Sequence, residues 1–194
     1  MSSFFLINLR DVPGDEELEK MTDELIESYS CPQNAEVEQF LKYKALDFTK
    51  RKCSISYLVL DEDKHLQGYF TLAHKNLCVN SKSMSASKKR KFHNYAGDDE
   101  DGFFNVSAFL IAQLGRNFRS VKTMKIEGTQ LLQLAMDKLR DAQNIVGGGV
   151  VFLECENHRK LLDFYQGEPH FFQWIGERES KSDNVCYQQL VRLF

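Results

Sequence analysis

A short apolar run in the last third of the chain constrains the fold more than any other sequence feature. Residues 150–153 are all apolar, and three glycines at 147–149 stand directly before them. Such a run is typical of a strand that is covered on both faces. The glycines follow an amphipathic helical pattern over residues 131–139 and indicate the end of that helix. The sequence therefore predicts a buried strand in a sheet that carries helices.

The other elements alternate in an order that predicts a mixed sheet. A turn signal at residues 11–14 separates a first strand from a helix capped near Asp15, and a second helix carries one apolar stripe from Val37 to Phe48. Two alternating segments joined by the polar linker 61–64 predict an antiparallel hairpin. The predicted strands are 4–9, 54–59, 66–72, 103–114, 150–153, 170–175 and 185–193, and the helices lie near 15–25, 37–48, 131–139 and 157–165. This order, β-α-α-β-β-β-α-β-α-β-β, indicates an α/β fold (an α+β mixed sheet) with helices on its faces.

Size and composition restrict the class of protein. The 194 residues suit a single domain over 1–194, 42% of them are hydrophobic, and the formal net charge is −3. A packed core is therefore expected, without the overall basic character of proteins that bind nucleic acid or anionic membranes. The five cysteines form no CxxC pair, and the five histidines show no metal-ligand spacing. With no secretory leader or membrane-spanning run, the sequence predicts a cytoplasmic protein with free thiols and no metal.

Residues 80–102 differ in composition from the segments around them. Serine and lysine dominate first and acidic residues follow, with few core-sized side chains. This pattern predicts an excursion between two strands, mobile or holding one short helix. Its basic run, residues 88–91, is typical of two kinds of segment. One binds a phosphate-rich partner, and the other is a solvated loop whose positive charge is balanced by the neighbouring acidic run. We favour the solvated loop, because four adjacent charges are a weak pattern.

Residues 110–117, followed by Gly128 and two leucines, resemble the fourth strand, phosphate loop and next helix of the GNAT family of N-acetyltransferases. The family carries a Gln/Arg-x-x-Gly-x-Gly/Ala loop, because a pyrophosphate binds to unpaired backbone N–H groups at a helix N-terminus. Only the last glycine is kept here, as Gly128, while Thr123 and Ile126 stand at the Gln/Arg and first Gly positions. The resemblance implies that acetyl-CoA is the co-substrate. Its phosphates would contact Gly128, Thr129, Gln130 and Lys125, with Arg119 and Lys122 as further cations.

The resemblance also covers the strand before this loop. In the family the fourth and fifth strands splay apart, and the backbone of the fourth pairs with the pantetheine arm of the coenzyme. This role would fall on Leu114, Gly115 and Arg116. The contact is made by the backbone, so side-chain identity says little about it.

Residues 153–165 are similar to the family's fifth strand and fourth helix. The resemblance gives Asn157 a contact with the pantetheine arm and places Tyr165 beside the coenzyme sulfur. A phenol with a pKa near 10 is protonated at neutral pH and can donate its proton to a leaving thiolate. The alternative role for Tyr165 is that of a core aromatic packed four residues after Leu161.

The general base is not specified by any motif. Glu154, at the end of the buried strand, is one candidate, although such a carboxylate often only caps the next helix. Cys155 suggests a covalent acyl-cysteine route, but no His/Asp partner accompanies it, and a buried structural cysteine is the preferred interpretation.

The resulting hypothesis is an acetyl-CoA-dependent N-acetyltransferase in which a primary amine attacks the thioester directly. A small-molecule or protein amine is ranked above nucleic acid as the acceptor. An aromatic-rich C-terminal region (Phe171, Phe172 and Trp174) is typical either of a homodimer patch or of ordinary core. Two alternatives stay open. One is a catalytically weak GNAT-fold binding module, favoured by the eroded loop. The other is a toxin-like aminoacyl-tRNA acetyltransferase, because residues 113–117 faintly resemble a stretch of such toxins.

Overall fold

The computed structural model describes residues 4–96, 101–119, 125–180 and 185–194, and the predicted loop residues Lys122 and Thr123 lie outside these ranges. Its strands form one sheet in the order β1-β2-β3-β4-β5-β7-β6. None of the helices in these ranges is long and apolar enough to cross a membrane. The strands are β1 (Phe5–Asn8), β2 (Ile55–Leu60), β3 (Leu66–Asn80), β4 (Phe103–Arg116), β5 (Val150–Glu156), β6 (Gln173–Ser180) and β7 (Val185–Leu193). The α-helices are α1 (Glu16–Glu27), α2 (Ala35–Tyr43), α3 (Ala45–Lys50), α4 (Ala86–His93), α5 (Gly128–Val146) and α6 (Arg159–Gln166).

The sheet is mixed, as the sequence predicts. β1 pairs antiparallel with β2, β2 with β3, β5 with β7, and β6 with β7. β4 and β5 are parallel and pair through residues 109–111 and 151–153. β5 pairs with β7 over its whole length, so its pairing with β4 is much shorter, in agreement with the splayed strands expected.

The chain divides into two compact units, Met1–Ala73 with Ala112–Asp137, and His74–Ile111 with Lys138–Phe194. In the first unit, α1 and α2 pack on β1–β3 around the buried side chains of Leu41, Leu58 and Tyr69. Asp15 and Asn34 cap the two helices through their side chains. Val59 and Phe70, on the opposite face of the hairpin, are fully buried. Leu131 of α5 lies against that face beside Gly68, so helices cover both faces of the sheet here.

The second unit has its own core, built from β3, β4, β5 and α4. Phe92, Phe104, Val150 and Phe152 are buried in it together. Residues 150–153 are all buried, which confirms the strand predicted from the apolar run. α5 ends at Val146, and Gly147 and Gly148 adopt positive φ angles of 76° and 100°, a conformation that favours glycine after a helix.

The structure corrects several predicted boundaries. β3 runs to Asn80 rather than Leu72, because Leu77 and Val79 are buried in the second core. The single stripe from 37 to 48 is divided between α2 and α3, which meet at Lys44. The excursion at 80–102 holds one short helix, which was one of the two predicted alternatives: a 3-10 turn is followed by the cap Ser85 and α4. α6 begins after His158 rather than at Asn157.

Candidate active site

The end of β4 in the first unit is packed so tightly that it requires glycine. Gly115 is buried, and a Cβ atom there would lie 2.2 Å from the Tyr29 hydroxyl and 2.5 Å from Val37 Cγ1. A Cβ atom on Gly68 of β3 would lie 2.7 Å from the Gly115 carbonyl oxygen. These two glycines let the backbones of β3 and β4 approach closely and hold residues 114–116 in place.

Two tyrosines, Tyr29 and Tyr69, occupy the space where a side chain of residue 115 would lie. The rings of Tyr29 and Tyr69 meet edge to face with centroids 5.2 Å apart. The Tyr69 hydroxyl donates to the Val37 carbonyl over 2.6 Å, whereas the buried Tyr29 hydroxyl has no hydrogen-bond partner among the described residues. Burial raises the pKa of both phenols well above the usual value, so both stay neutral.

Asn117, directly after β4, fixes the end of this strand. Its side-chain amide donates to the carbonyls of Leu66 and Ser28, and its Oδ1 accepts from the Ser30 backbone N–H over 3.0 Å. The buried amide thus joins the end of β4 to the end of α1 and the start of β3. In the sequence, Asn117 is only the last residue of the two stretches, 110–117 and 113–117, that resemble the GNAT fourth strand and, faintly, the toxins. The three partners that tie β4 to α1 and β3 are 51 to 89 residues away, so no local signal could have shown this role.

The start of α5 has a capped N-terminus in the same unit. The Gln130 side chain accepts a 2.9 Å hydrogen bond from the Glu127 backbone N–H, as the third residue of a capping box does. The Glu127 carboxylate lies 3.5 Å from Arg116. Gly128 is half-buried, and Lys125 and Thr129 are exposed. The Gln130 side chain therefore serves its own helix, and backbone N–H groups of the first turn are the donors that α5 can offer to an anion.

Tyr165 lies in α6 of the second unit and is buried among aromatic rings. Its ring centroid is 4.9 Å from that of Phe164 and 6.1 Å from that of Phe172. Burial, and then the neighbouring Cys155, raise the pKa of the Tyr165 phenol well above 10. The phenol thus keeps its proton at neutral pH and can serve as a proton donor but not as a general base. Asn157 is exposed in the short connection between β5 and α6.

Glu154, the candidate general base, and Cys155, the candidate nucleophile, both have mainly structural surroundings. The Glu154 carboxylate accepts 2.6 Å and 2.8 Å hydrogen bonds from Arg178 and one of 2.9 Å from Gln189. It is thus an ion-paired group between β5, β6 and β7. Cys155 is buried, and burial followed by the charge of Glu156 raises its pKa to about 11. A thiol that stays protonated is a poor nucleophile. Sequence reasoning missed Arg178, because it reaches Glu154 across the sheet from 24 positions away.

This strand order, with a short parallel pairing of β4 and β5 and helices on both faces, is the GNAT acyltransferase fold. Solved structures with that fold are similar to the chain over nearly its whole length. A structure described as AtaT complexed with acetyl-methionyl-tRNAfMet has a TM-score of 0.63 and 18% identity, and covers 99% of this chain and 94% of AtaT. A tyrosine-to-phenylalanine mutant of the toxin AtaT, bound to the C-terminus of the antitoxin AtaR and acetyl-CoA, has a TM-score of 0.59 and 17% identity, with coverage of 98% and 93%.

A mutant of KacT has a TM-score of 0.64 and 15% identity, and covers 98% of this chain and 94% of KacT. No family model matches the chain, and no curated protein matches it. At identities this low, the likeness establishes the fold, while chemistry must be argued from residues.

Proposed function

We propose that this protein is a GNAT-type N-acetyltransferase that transfers the acetyl group of acetyl-CoA to a primary amine. The observation that carries the proposal is the place of Tyr165 in α6, the helix that follows β5, where its phenol is buried among aromatic rings and is protonated at neutral pH. It stands at the position where the GNAT resemblance expects the proton donor, in a chain with the GNAT fold. The mutant of AtaT with the same fold is bound to acetyl-CoA, which supports the same co-substrate here.

In the proposed reaction the neutral amine nitrogen attacks the thioester carbonyl and forms a tetrahedral intermediate. A backbone N–H in residues 114–116 stabilises the oxyanion, and the tight packing around Gly115 keeps that backbone preorganised. The carbon–sulfur bond then breaks, and the departing thiolate takes its proton from Tyr165. The amine loses its own proton to solvent, and Tyr165 is reprotonated from water.

The proposed coenzyme contacts divide between backbone and side-chain groups. Backbone N–H groups of Gly128, Thr129 and Gln130 at the start of α5 bind the pyrophosphate, with the charge of Lys125 nearby. The backbone of residues 114–116 pairs with the pantetheine arm, and the Asn157 side chain contacts the same arm. The absence of the family's first loop glycine favours weaker phosphate binding, which is the feature that supports a non-catalytic binding module as the alternative.

An aminoacyl-tRNA is a second acceptor class for this site. AtaT, which has the same fold, is complexed with acetyl-methionyl-tRNAfMet, and the α-amino group of an aminoacyl ester is a primary amine. This observation favours nucleic acid as an acceptor class beside small-molecule and protein amines, although the net charge of −3 does not. All three acceptor classes therefore belong in one screen.

The experiment is a thiol-release assay with acetyl-CoA and a panel of amines that includes small amines, a lysine peptide and aminoacyl-tRNA. We expect release that depends on one acceptor class and an acceptor product heavier by one acetyl group in mass spectrometry. Cys155→Ser should retain this activity, because direct attack needs no thiolate. Release without any acetylated acceptor, or an acetyl group found on Cys155, would contradict the proposed reaction.

A further inference from the structure

The second unit contains a cavity of about 200 Å³ that the proposed acetyl transfer does not use. It lies where α4, the start of β6 and the end of β7 come together. Buried Phe92 and Val191 contribute apolar surface to its lining. Arg192, which also lines the cavity, is the strand partner of Val151 near the start of β5. Asn157 and Tyr165 follow the end of that strand, so the cavity is separate from them.

Three cations line this cavity: Lys88, Lys91 and Arg192. Lys88 is held in place, because its Nζ donates a 3.2 Å hydrogen bond to the Trp174 carbonyl. Among the described residues, neither Lys91 nor Arg192 forms an ion pair with a carboxylate, and none of the lining residues is acidic. Three positive charges around one concave surface with no lining carboxylate attract an anion of more than one charge.

Phe171, on the same cavity, has an unusual backbone and an exposed ring. Its φ angle is +53°, a region that bulky side chains rarely adopt, and its side chain is 55% exposed. The positive φ angle strains the backbone, and the exposed ring adds nothing to the packing of the core. Backbone strain that gives no gain in packing indicates a functional position. The ring offers an aromatic face beside the three cations, which is the arrangement that binds a phosphate together with a stacked base.

We propose that this cavity binds a nucleotide, with its phosphate between Lys91, Arg192 and Lys88 and its base stacked on Phe171. The proposal does not rest on acetyl transfer. A free nucleotide and one unit of a single-stranded RNA offer the same chemistry, so the test must separate these two sources.

The test is a set of calorimetric titrations of the full chain with inorganic phosphate, adenosine 5′-monophosphate and a short oligoadenosine. We expect the monophosphate to bind more tightly than phosphate, and its affinity to fall about tenfold in Lys91→Ala and in Arg192→Ala, as loss of a charge-assisted hydrogen bond predicts. Lys75→Ala, a control on an exposed lysine of β3 in the same unit, should bind like the unaltered protein. Tighter binding of the oligonucleotide identifies RNA as the source, and equal binding identifies a free nucleotide.

Phe171→Gly separates stacking from structure. Glycine adopts a φ angle of +53° freely, so this variant should melt at the same temperature or higher while its monophosphate affinity falls about tenfold. The proposal is overturned if the monophosphate does not bind, or if Lys91→Ala, whose side chain is exposed and does not support the core, binds it unchanged. Loss of binding in Gly128→Leu alone would place the nucleotide at the start of α5 and equally overturn it. Equal affinities for phosphate and the monophosphate would show that the base is not bound, which would also overturn the proposal.

Discussion

Replacing Tyr165 with phenylalanine is expected to slow acetyl transfer about a hundredfold, within the usual contribution of a general acid. The substitution removes only the phenol oxygen, and the ring stays packed between Phe164 and Phe172. The affinity for acetyl-CoA should therefore change little, and the loss should lie in kcat. Steady-state kinetics with the acceptor from the screen measure both quantities. Because the pKa of Tyr165 is raised well above 10, its ionisation should not lower the rate of the unaltered enzyme between pH 7 and about pH 10.

Tyr43→Phe is the matched control, because it removes the same oxygen from an exposed tyrosine of α2. Its kcat should equal that of the unaltered protein. A Tyr165→Phe variant with unchanged turnover would show that Tyr165 is a core aromatic and not the acid. A large fall in melting temperature with an unchanged rate would point the same way.

Gly115→Ala is expected to reduce the free energy of unfolding by about 2 kcal/mol, as overpacking of a tight core does. The new methyl group would meet the Tyr29 hydroxyl and Val37, and both side chains are held between α1, α2 and the sheet. If the backbone of residues 114–116 binds the pantetheine arm, its displacement should also weaken acetyl-CoA binding. Denaturant unfolding and a coenzyme titration measure the two effects.

Gly176→Ala is the control for this substitution, because a Cβ atom there meets nothing closer than Gln189 at 4.0 Å. It should change the free energy of unfolding by less than about 0.5 kcal/mol. Adding Tyr29→Phe to Gly115→Ala should recover part of the lost stability, since it removes the oxygen that the methyl group meets. A Gly115→Ala protein as stable as the Gly176→Ala control would contradict the packing described at the end of β4.

The parts of the fold that the sequence predicts are those with local signals. The cap at Asp15, the apolar run at 150–153 and the glycines at 147–149 each lie within one element or directly beside it, and the elements they mark form as expected. The missed features depend on residues far apart in the chain. β3 extends to Asn80 because Leu77 and Val79 are buried against residues of α4 and β4. No local pattern in residues 73–80 indicates that these side chains are buried.

The same distinction applies to the candidate site. Tyr165 and Gly128 are recognisable because the resemblance rests on spacing within a short stretch. The Tyr29–Tyr69 pair, the Asn117 amide and the Arg178–Glu154 ion pair join residues 24 to 89 positions apart. Only the folded chain brings these groups together. The role of every predicted coenzyme contact stays a prediction that binding measurements must test.

The central claim is that this chain binds acetyl-CoA, and a calorimetric titration with acetyl-CoA and with free coenzyme A tests it most directly. We predict micromolar binding of both ligands that weakens at least tenfold in Gly128→Leu, because a bulky side chain keeps the phosphates from the first turn of α5. Gln133→Leu, on an exposed position of the same helix, should bind like the unaltered protein. Absence of binding at millimolar ligand would contradict the claim and leave the GNAT fold in this chain as a scaffold without its coenzyme.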